Sequence, residues 1–193
     1  MRMKKILSLA ACMLFCNEAY SNDRGNSYLK IQASGNIPNN ITHKNIEYKG
    51  DMSFGGSLGI GYSAVENINI ELGLDCIYNN KYEYKIKSAQ VESQLNNIIS
   101  PKLMIYYDYK PSDNMGVYLG FGGGTSFIST TMTSHIKKNL ETISTVFLTG
   151  EAGISFSMNK TIFDLGYSIG FHGKHYDFEI IIHSAKIGVR YFF

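Results

Sequence analysis

The chain has 193 residues, 44% of them hydrophobic, with 18 basic and 16 acidic side chains, a formal net charge of +2 and a mean hydropathy of −0.11. That length is one domain's worth. The near-neutral charge excludes the basic footprint expected of a nucleic-acid binder, and three cysteines, Cys12, Cys16 and Cys76, are too few for a disulfide-stapled scaffold.

At the N-terminus, Arg2, Lys4 and Lys5 precede an apolar run over residues 6–15. The run is too short to cross a membrane as a helix. Ala19-Tyr-Ser21 then places small residues at −3 and −1 of a cleavage site, so residues 1–21 are expected to be a secretory signal and 22–193 a single mature domain. The local match of Leu9-Ala-Ala-Cys12 to a lipoprotein signal is the competing reading, but cleavage there leaves a hydrophobic core of only a few residues. Without 1–21 the acidic and basic residues are equal in number and Cys76 stands alone, so no intramolecular disulfide and no cysteine-based metal site can form. No later segment approaches the ~20 apolar residues of a membrane helix.

What the mature chain does show is period-2 alternation, eight times over. The first strand, 27–34, sets Leu29, Ile31 and Ala33 against Lys30, Gln32 and Ser34. The second, 52–62, sets Phe54, Leu58, Ile60 and Tyr62 against Ser53, Ser57 and three glycines. The third, 68–78, runs Ile68, Ile70, Leu72, Leu74, Cys76 and Tyr78 along one face, with Asn69, Glu71, Asp75 and Ile77 on the other. The fourth to eighth strands are read at 98–109, 116–127, 145–156, 161–171 and 181–193. Their outward residues include Leu103, Ile105, Leu119, Phe121, Leu148, Ile154, Leu165, Tyr167, Ile187 and Val189. The connections alternate between tight (63–67, 110–114, 157–160) and long (35–51, 79–97, 128–144, 172–179). Short turns on one side and long loops on the other are the asymmetry of an outer-membrane barrel, and a soluble sandwich gives no reason for it. Traced up and down the strands, Tyr62, Tyr107, Tyr109, Phe156, Phe163, Tyr191 and Phe193 fall near one rim, and Phe54, Tyr78, Phe127 and Phe171 near the other. Rings with one polar edge suit a water–lipid boundary.

The chain ends on Ile187-Gly-Val189-Arg-Tyr191-Phe-Phe193, an alternating strand running into an aromatic terminus. This ending, with Tyr106-Tyr-Asp-Tyr109, Gly116-Val-Tyr-Leu-Gly-Phe-Gly-Gly123 and Asp164-Leu-Gly-Tyr167, resembles the small eight-stranded outer-membrane barrel family: the OmpA/OmpX-type, opacity-like and rickettsial surface barrels. The resemblance implies an all-β, eight-stranded antiparallel transmembrane barrel with short periplasmic turns and long external loops. It also implies an outer-membrane location with both termini periplasmic. Val189, Tyr191 and Phe193 match the segment that the family's assembly machinery reads. A family Arg after the Tyr of the seventh strand is replaced here by Ser168, which removes one lumen salt bridge.

Eight strands close a barrel about filled by its own side chains. The inward charges are Lys30, Glu71, Asp75, Lys102, Asp108, Glu151, Asp164, Lys186 and Arg190. Counting from the tight turns places Lys30, Glu71, Asp164 and Arg190 low and Asp75, Lys102, Glu151 and Lys186 at mid-height, two of each sign per level, with Asp108 at the lower mouth. Balanced levels read as a plug of ion pairs, whereas a selectivity ring needs one dominant sign. A narrow gated porin is the alternative. The inward glycines of the second and fifth strands leave room for long side chains from across the barrel.

Catalysis is not expected. His183-Ser184 are strand neighbours and face opposite sides, so they cannot pair as base and nucleophile in a lipid A-modifying enzyme. His135, His172 and His175 are read as loop residues, and Gly122-Gly-Gly124 lacks the following Lys-Ser/Thr of a phosphate loop. No cofactor is expected. The expected partners are outer-membrane lipid, the assembly machinery and a host or other extracellular protein, with the barrel a monomer. The residues for that contact are Tyr82, Tyr84, Lys85 and Lys87 in the second loop, where alternation continues as a hairpin, and Lys137 and Lys138 in the third.

Overall fold

A computed structural model describes residues 27–39, 41–43, 46–86, 89–112, 114–134, 137–175 and 178–193. Side chains within 41–49, 79–96, 130–141 and 174–179 are outside that description, as is the expected signal segment. Ten strands are formed: β1 (Ser27–Pro38), β2 (Ile41–His43), β3 (Ile46–Gly50), β4 (Ser53–Val65), β5 (Ile68–Ile86), β6 (Ala89–Tyr109), β7 (Met115–Ser134), β8 (Lys137–Met158), β9 (Thr161–His175) and β10 (Phe178–Phe192). Every neighbouring pair is antiparallel. Pairing of β5 with β6 and of β1 with β10 closes β1 and β4–β10 into an eight-stranded barrel. Closure leaves the membrane-level ladder without an edge, as a sheet in hydrocarbon requires.

The alternation read from the sequence is the alternation of the wall. Leu29, Ile31, Leu58, Ile60, Leu72, Leu103, Ile105, Leu119, Phe121, Leu148, Leu165 and Ile187 are all exposed. The intervening Lys30, Gln32, Glu71, Lys102, Asp108, Glu151, Asp164, Lys186 and Arg190 are buried. A continuous apolar belt around charged inner positions is the inverse of a soluble core, and lipid is the solvent that accommodates it. No helix among the described residues is long and apolar enough to cross a membrane; the crossing is made by strands. Two of the three tight turns contain an asparagine with positive φ, Asn67 (71°) and Asn159 (53°). Asn tolerates that left-handed conformation because its short side chain can satisfy the local backbone.

Of the four long connections, 35–51, 128–144 and 172–179, read as loops, are largely strand, and 79–97, read as a continuing hairpin, is one. The segment 79–97 is the upper part of a hairpin paired to its tip at Ile86↔Ala89. The segment 128–144 is likewise paired from Ile128↔Ile143 to Ser134↔Lys137. In the first connection, β1 runs on to Pro38 and the short strands β2 and β3 pair with each other, while β3 joins β5 at Lys49↔Glu83 and Gly50↔Tyr82. The stretches 35–51 and 128–144 read as loops because their sequence loses its apolar alternation, although the backbone ladder continues.

Three lumen tyrosines explain three inward glycines. Tyr28 is paired with Gly61, Tyr106 with Gly120 and Tyr118 with Gly153. In each case the tyrosine ring occupies the space a Cβ on the glycine would take; at Gly153 that Cβ would lie 2.7 Å from the Tyr118 ring. An aromatic ring laid across a facing strand glycine covers backbone that would otherwise be bare. Gly61→Ala is therefore expected to displace Tyr28 and destabilise the barrel by about 1–3 kcal/mol. Urea unfolding of the refolded variant measures this, and an unchanged midpoint would show that the ring is free to move.

Candidate functional site: the lumen and the projecting sheet

At the tight-turn end, Arg190 on β10 makes a bidentate pair with Asp164 on β9, Nε to Oδ2 and Nη2 to Oδ1, both 2.8 Å. Its Nη1 donates to Asp108 Oδ2 at 2.7 Å, and Asn69 Nδ2 donates to the same oxygen at 2.9 Å. Asp108, read at the lower mouth, is thus bound into the stack. The fork of the guanidinium suits two carboxylates held at fixed positions.

Above this, Glu151 on β8 collects contacts from four other strands. Lys186 Nζ lies at 3.1 Å and Lys30 Nζ at 3.6 Å. Gln32 Nε2 and the Tyr118 hydroxyl each donate at 3.2 Å. The Tyr106 hydroxyl donates at 3.4 Å and itself accepts from Lys30 at 2.9 Å, while the Lys30 ammonium sits 4.1 Å from the Tyr106 ring centroid. Lys30 also reaches Glu71 at 3.6 Å, whose Oε2 accepts from Tyr28. Lys102 pairs with Asp75 at 2.9 Å, and Lys186 approaches the same carboxylate at 3.9 Å. Lys30, Glu71, Asp75, Lys102, Asp108, Glu151, Asp164, Lys186 and Arg190 all take part in this stack. The two levels are not separate, because Lys30 bonds Glu151 across them.

Nearer the loop end the lumen turns neutral. Ser100 and Ser126 share a hydrogen bond of 2.6 Å, and Ser126 contacts His172 Nδ1 at 2.8 Å. His172, expected in a loop, lies inside the barrel on β9, buried and stacked on Phe147 with ring centroids 4.6 Å apart. It is two residues beyond Gly170 on the inward phase, and the longer β9 carries it into the wall. Among the described residues no cluster of metal-binding side chains occurs. His183 hydrogen-bonds Tyr167 on the outward face, while Ser184 is buried on the inward face. The two are separated by the wall.

Along the closing seam, Val189 pairs with Ile31 and Phe163, Tyr191 with Leu29 and Thr161, and Phe193 N donates to Ser27 O at 3.0 Å. On the opposite end, Tyr82 pairs with Ser93, Tyr84 with Val91, Lys85 with Gln90, Lys138 with Thr133 and Lys137 with Ser134. Lys87 lies outside the described residues. Pairing of β8 with β9 stops at Phe147↔His172, so β5–β8 rise above the rest, and among the described residues no strand pairs with β8 on that side over 137–146. Gln32 shares the inward face with Lys30 in the sequence reading, whereas Tyr28, Tyr106, Tyr118 and His172 are not named there as lumen residues. The signal was present: the inward phase that selects the charges also selects them.

A closed barrel with a lipid-facing belt and a polar interior is an integral membrane β-barrel. Residues 7–193 match the family model described as outer membrane protein beta-barrel domain, and the chain belongs to that family. No curated protein matches it by sequence. Similar solved structures include Neisserial surface protein A (TM-score 0.61, 16% identity, covering 86% of this chain and 97% of that one). Ail, the attachment invasion locus protein of Yersinia pestis, superposes with a TM-score of 0.55 at 13% identity, over 88% of this chain and 99% of that one. OprG from Pseudomonas aeruginosa gives 0.55 at 11% identity, over 88% and 97%. At these identities the likeness is one of fold.

Proposed function

We propose that this outer-membrane barrel is a surface protein whose β5–β8 sheet projects outside the cell and contacts an extracellular protein, with both termini periplasmic and the lumen closed. The observation that carries this is the unequal height of the wall. The hairpins β5–β6 and β7–β8 stay paired to Ile86↔Ala89 and Ser134↔Lys137, far beyond the level where β9 leaves β8. A sheet ordered above the membrane, with β8 unpaired on its outer side over 137–146 among the described residues, Lys137 and Lys138 on that strand and Tyr82, Tyr84 and Lys85 on β5, suits strand addition and polar–aromatic contact. Ail, similar in fold, is named for attachment and invasion. The test is capture of serum or matrix proteins by the folded barrel and by a version whose two hairpins are cut back and closed with Gly/Ser turns. Loss of capture in the shortened version is expected; equal capture removes the sheet from the mechanism.

The ion-pair stack favours a non-conducting barrel over a gated porin, and the separation of His183 from Ser184 favours a non-catalytic one. In planar bilayers the protein is expected to show no steady current. Sustained ion-selective openings would support the porin reading.

A further inference from the structure

At the loop end five isoleucines face inward where the lumen would be expected to stay polar. Ile77, Ile98, Ile128, Ile180 and Ile182 form one buried cluster at the loop end, and Ile98, Ile128, Ile180 and Ile182 are each 2% exposed or less. The cluster spans the barrel. Ile77, Ile98 and Ile128 are direct partners across β5, β6 and β7, and Ile180 and Ile182 come from β10, where they pair with His172 and Pro38. Phe147 of β8, stacked on His172 of β9, fills the remaining side.

Beneath the cluster lies a cavity of about 20 Å³. Its walls include Asn36, Asp75, Ser100, Ser168, Ser184 and Lys186, with Ile77, Phe147, His172 and Ile182 at its roof. Two atoms of this lining have no protein partner: Asn36 Nδ2, a donor, and Asp75 Oδ1, an acceptor. Asn36 is 1% exposed. The floor is the ion-pair stack, since Asp75 Oδ2 is held by Lys102 and Lys186.

We propose that the isoleucine cluster is an apolar outer gate, in series with the ion-pair stack, and that the chamber between them is a binding site for water. A guest that both donates and accepts matches Asp75 Oδ1 and Asn36 Nδ2 together, and the volume admits about one or two water molecules. Leaving a buried donor and acceptor without partners is costly, which gives the site its affinity. Hydrophobic constrictions exclude ions by dewetting, a barrier that does not depend on charge pairing. The outer route to the chamber therefore opens only when the isoleucines part, and the inner route only when the ion pairs break.

The experiment uses the full barrel refolded in lipid vesicles, with Cys76→Ala to remove the native thiol and Ser100→Cys to place one on the chamber wall. Labelling is followed with a small, charged, membrane-impermeant methanethiosulfonate. Slow labelling is expected in this background. Ile98→Ala with Ile128→Ala is expected to accelerate it tenfold or more, while Lys102→Met, which opens the floor, is not expected to speed access from the loop side. The shift between unboiled and boiled electrophoresis verifies that each variant is folded. If the double alanine variant does not fold, Ile128→Val, which trims the cluster by a single methylene, is expected to raise the rate by a smaller factor. Rapid labelling with all isoleucines in place, or a rate unchanged in every folded isoleucine variant, would overturn the gate.

Discussion

Glu151→Gln is expected to lower the unfolding free energy of the refolded barrel by about 3–5 kcal/mol, the cost of removing one partner from a buried ion pair. Few side chains in the molecule are so heavily used. The carboxylate faces Lys186 at 3.1 Å and Lys30 at 3.6 Å and accepts hydrogen bonds from Gln32, Tyr106 and Tyr118. Glutamine keeps the shape and removes the charge, so Lys30 and Lys186 are left competing for Glu71 and Asp75. Pairing Glu151→Gln with Lys186→Met in a double-mutant cycle isolates the ion-pair contribution, and the double variant is expected to lose less than the sum of the single losses. Equilibrium urea unfolding in lipid vesicles is the measurement. A loss below about 0.5 kcal/mol, the size of an ordinary surface substitution, would mean that the surrounding hydroxyls and amide hold the lumen together without the charge.

The part of this arrangement that the sequence discloses is decided by period. A strand at membrane level must put every second residue into lipid, so the phase that carries Leu29, Ile31 and Leu72 outward necessarily carries Lys30, Gln32 and Glu71 inward. Which charges enter the lumen is legible for that reason. Which charge meets which is not, because Lys30 and Glu151 come from strands on different sides of the barrel, and the reach of a lysine exceeds the spacing between levels. Strand ends were hidden by a related cause. The sequence of 128–144 loses its apolar alternation and looks like a loop although Ile128 to Ser134 is paired residue by residue with β8, whereas in 79–97 the alternation continues and the hairpin is legible. His172 reads as a loop residue because β9 continues past Phe171, the last apolar residue of its outward face. Of the inward isoleucines the alternation discloses Ile77, on the face of Glu71 and Asp75, and Ile98 and Ile128 occupy the same phase as the buried Ser100 and Ser126.

Deletion of Phe193 is expected to have opposite magnitudes in two settings. In the purified protein it removes one backbone hydrogen bond, Phe193 N to Ser27 O, and one exposed ring at the tight-turn rim. The seam itself persists, since β1 and β10 remain paired from Tyr28↔Phe192 to Pro38↔Ile182. One net hydrogen bond contributes about 0.5–1.5 kcal/mol, so the refolded variant should unfold close to the parent. In cells the expected loss is much larger, with most of the folded form gone from the outer membrane while export to the periplasm continues. The reason is kinetic. Val189, Tyr191 and Phe193 form an outward stripe at alternate positions, and the expectation rests on the family resemblance, which implies that an assembly factor reads this segment before the barrel closes. Heat-modifiable electrophoresis of membrane fractions reads the cellular arm and urea unfolding reads the purified one. Equal, small losses in both would make Phe193 an ordinary rim aromatic. Equal, large losses would place its contribution in the seam, and only the split result supports recognition during assembly.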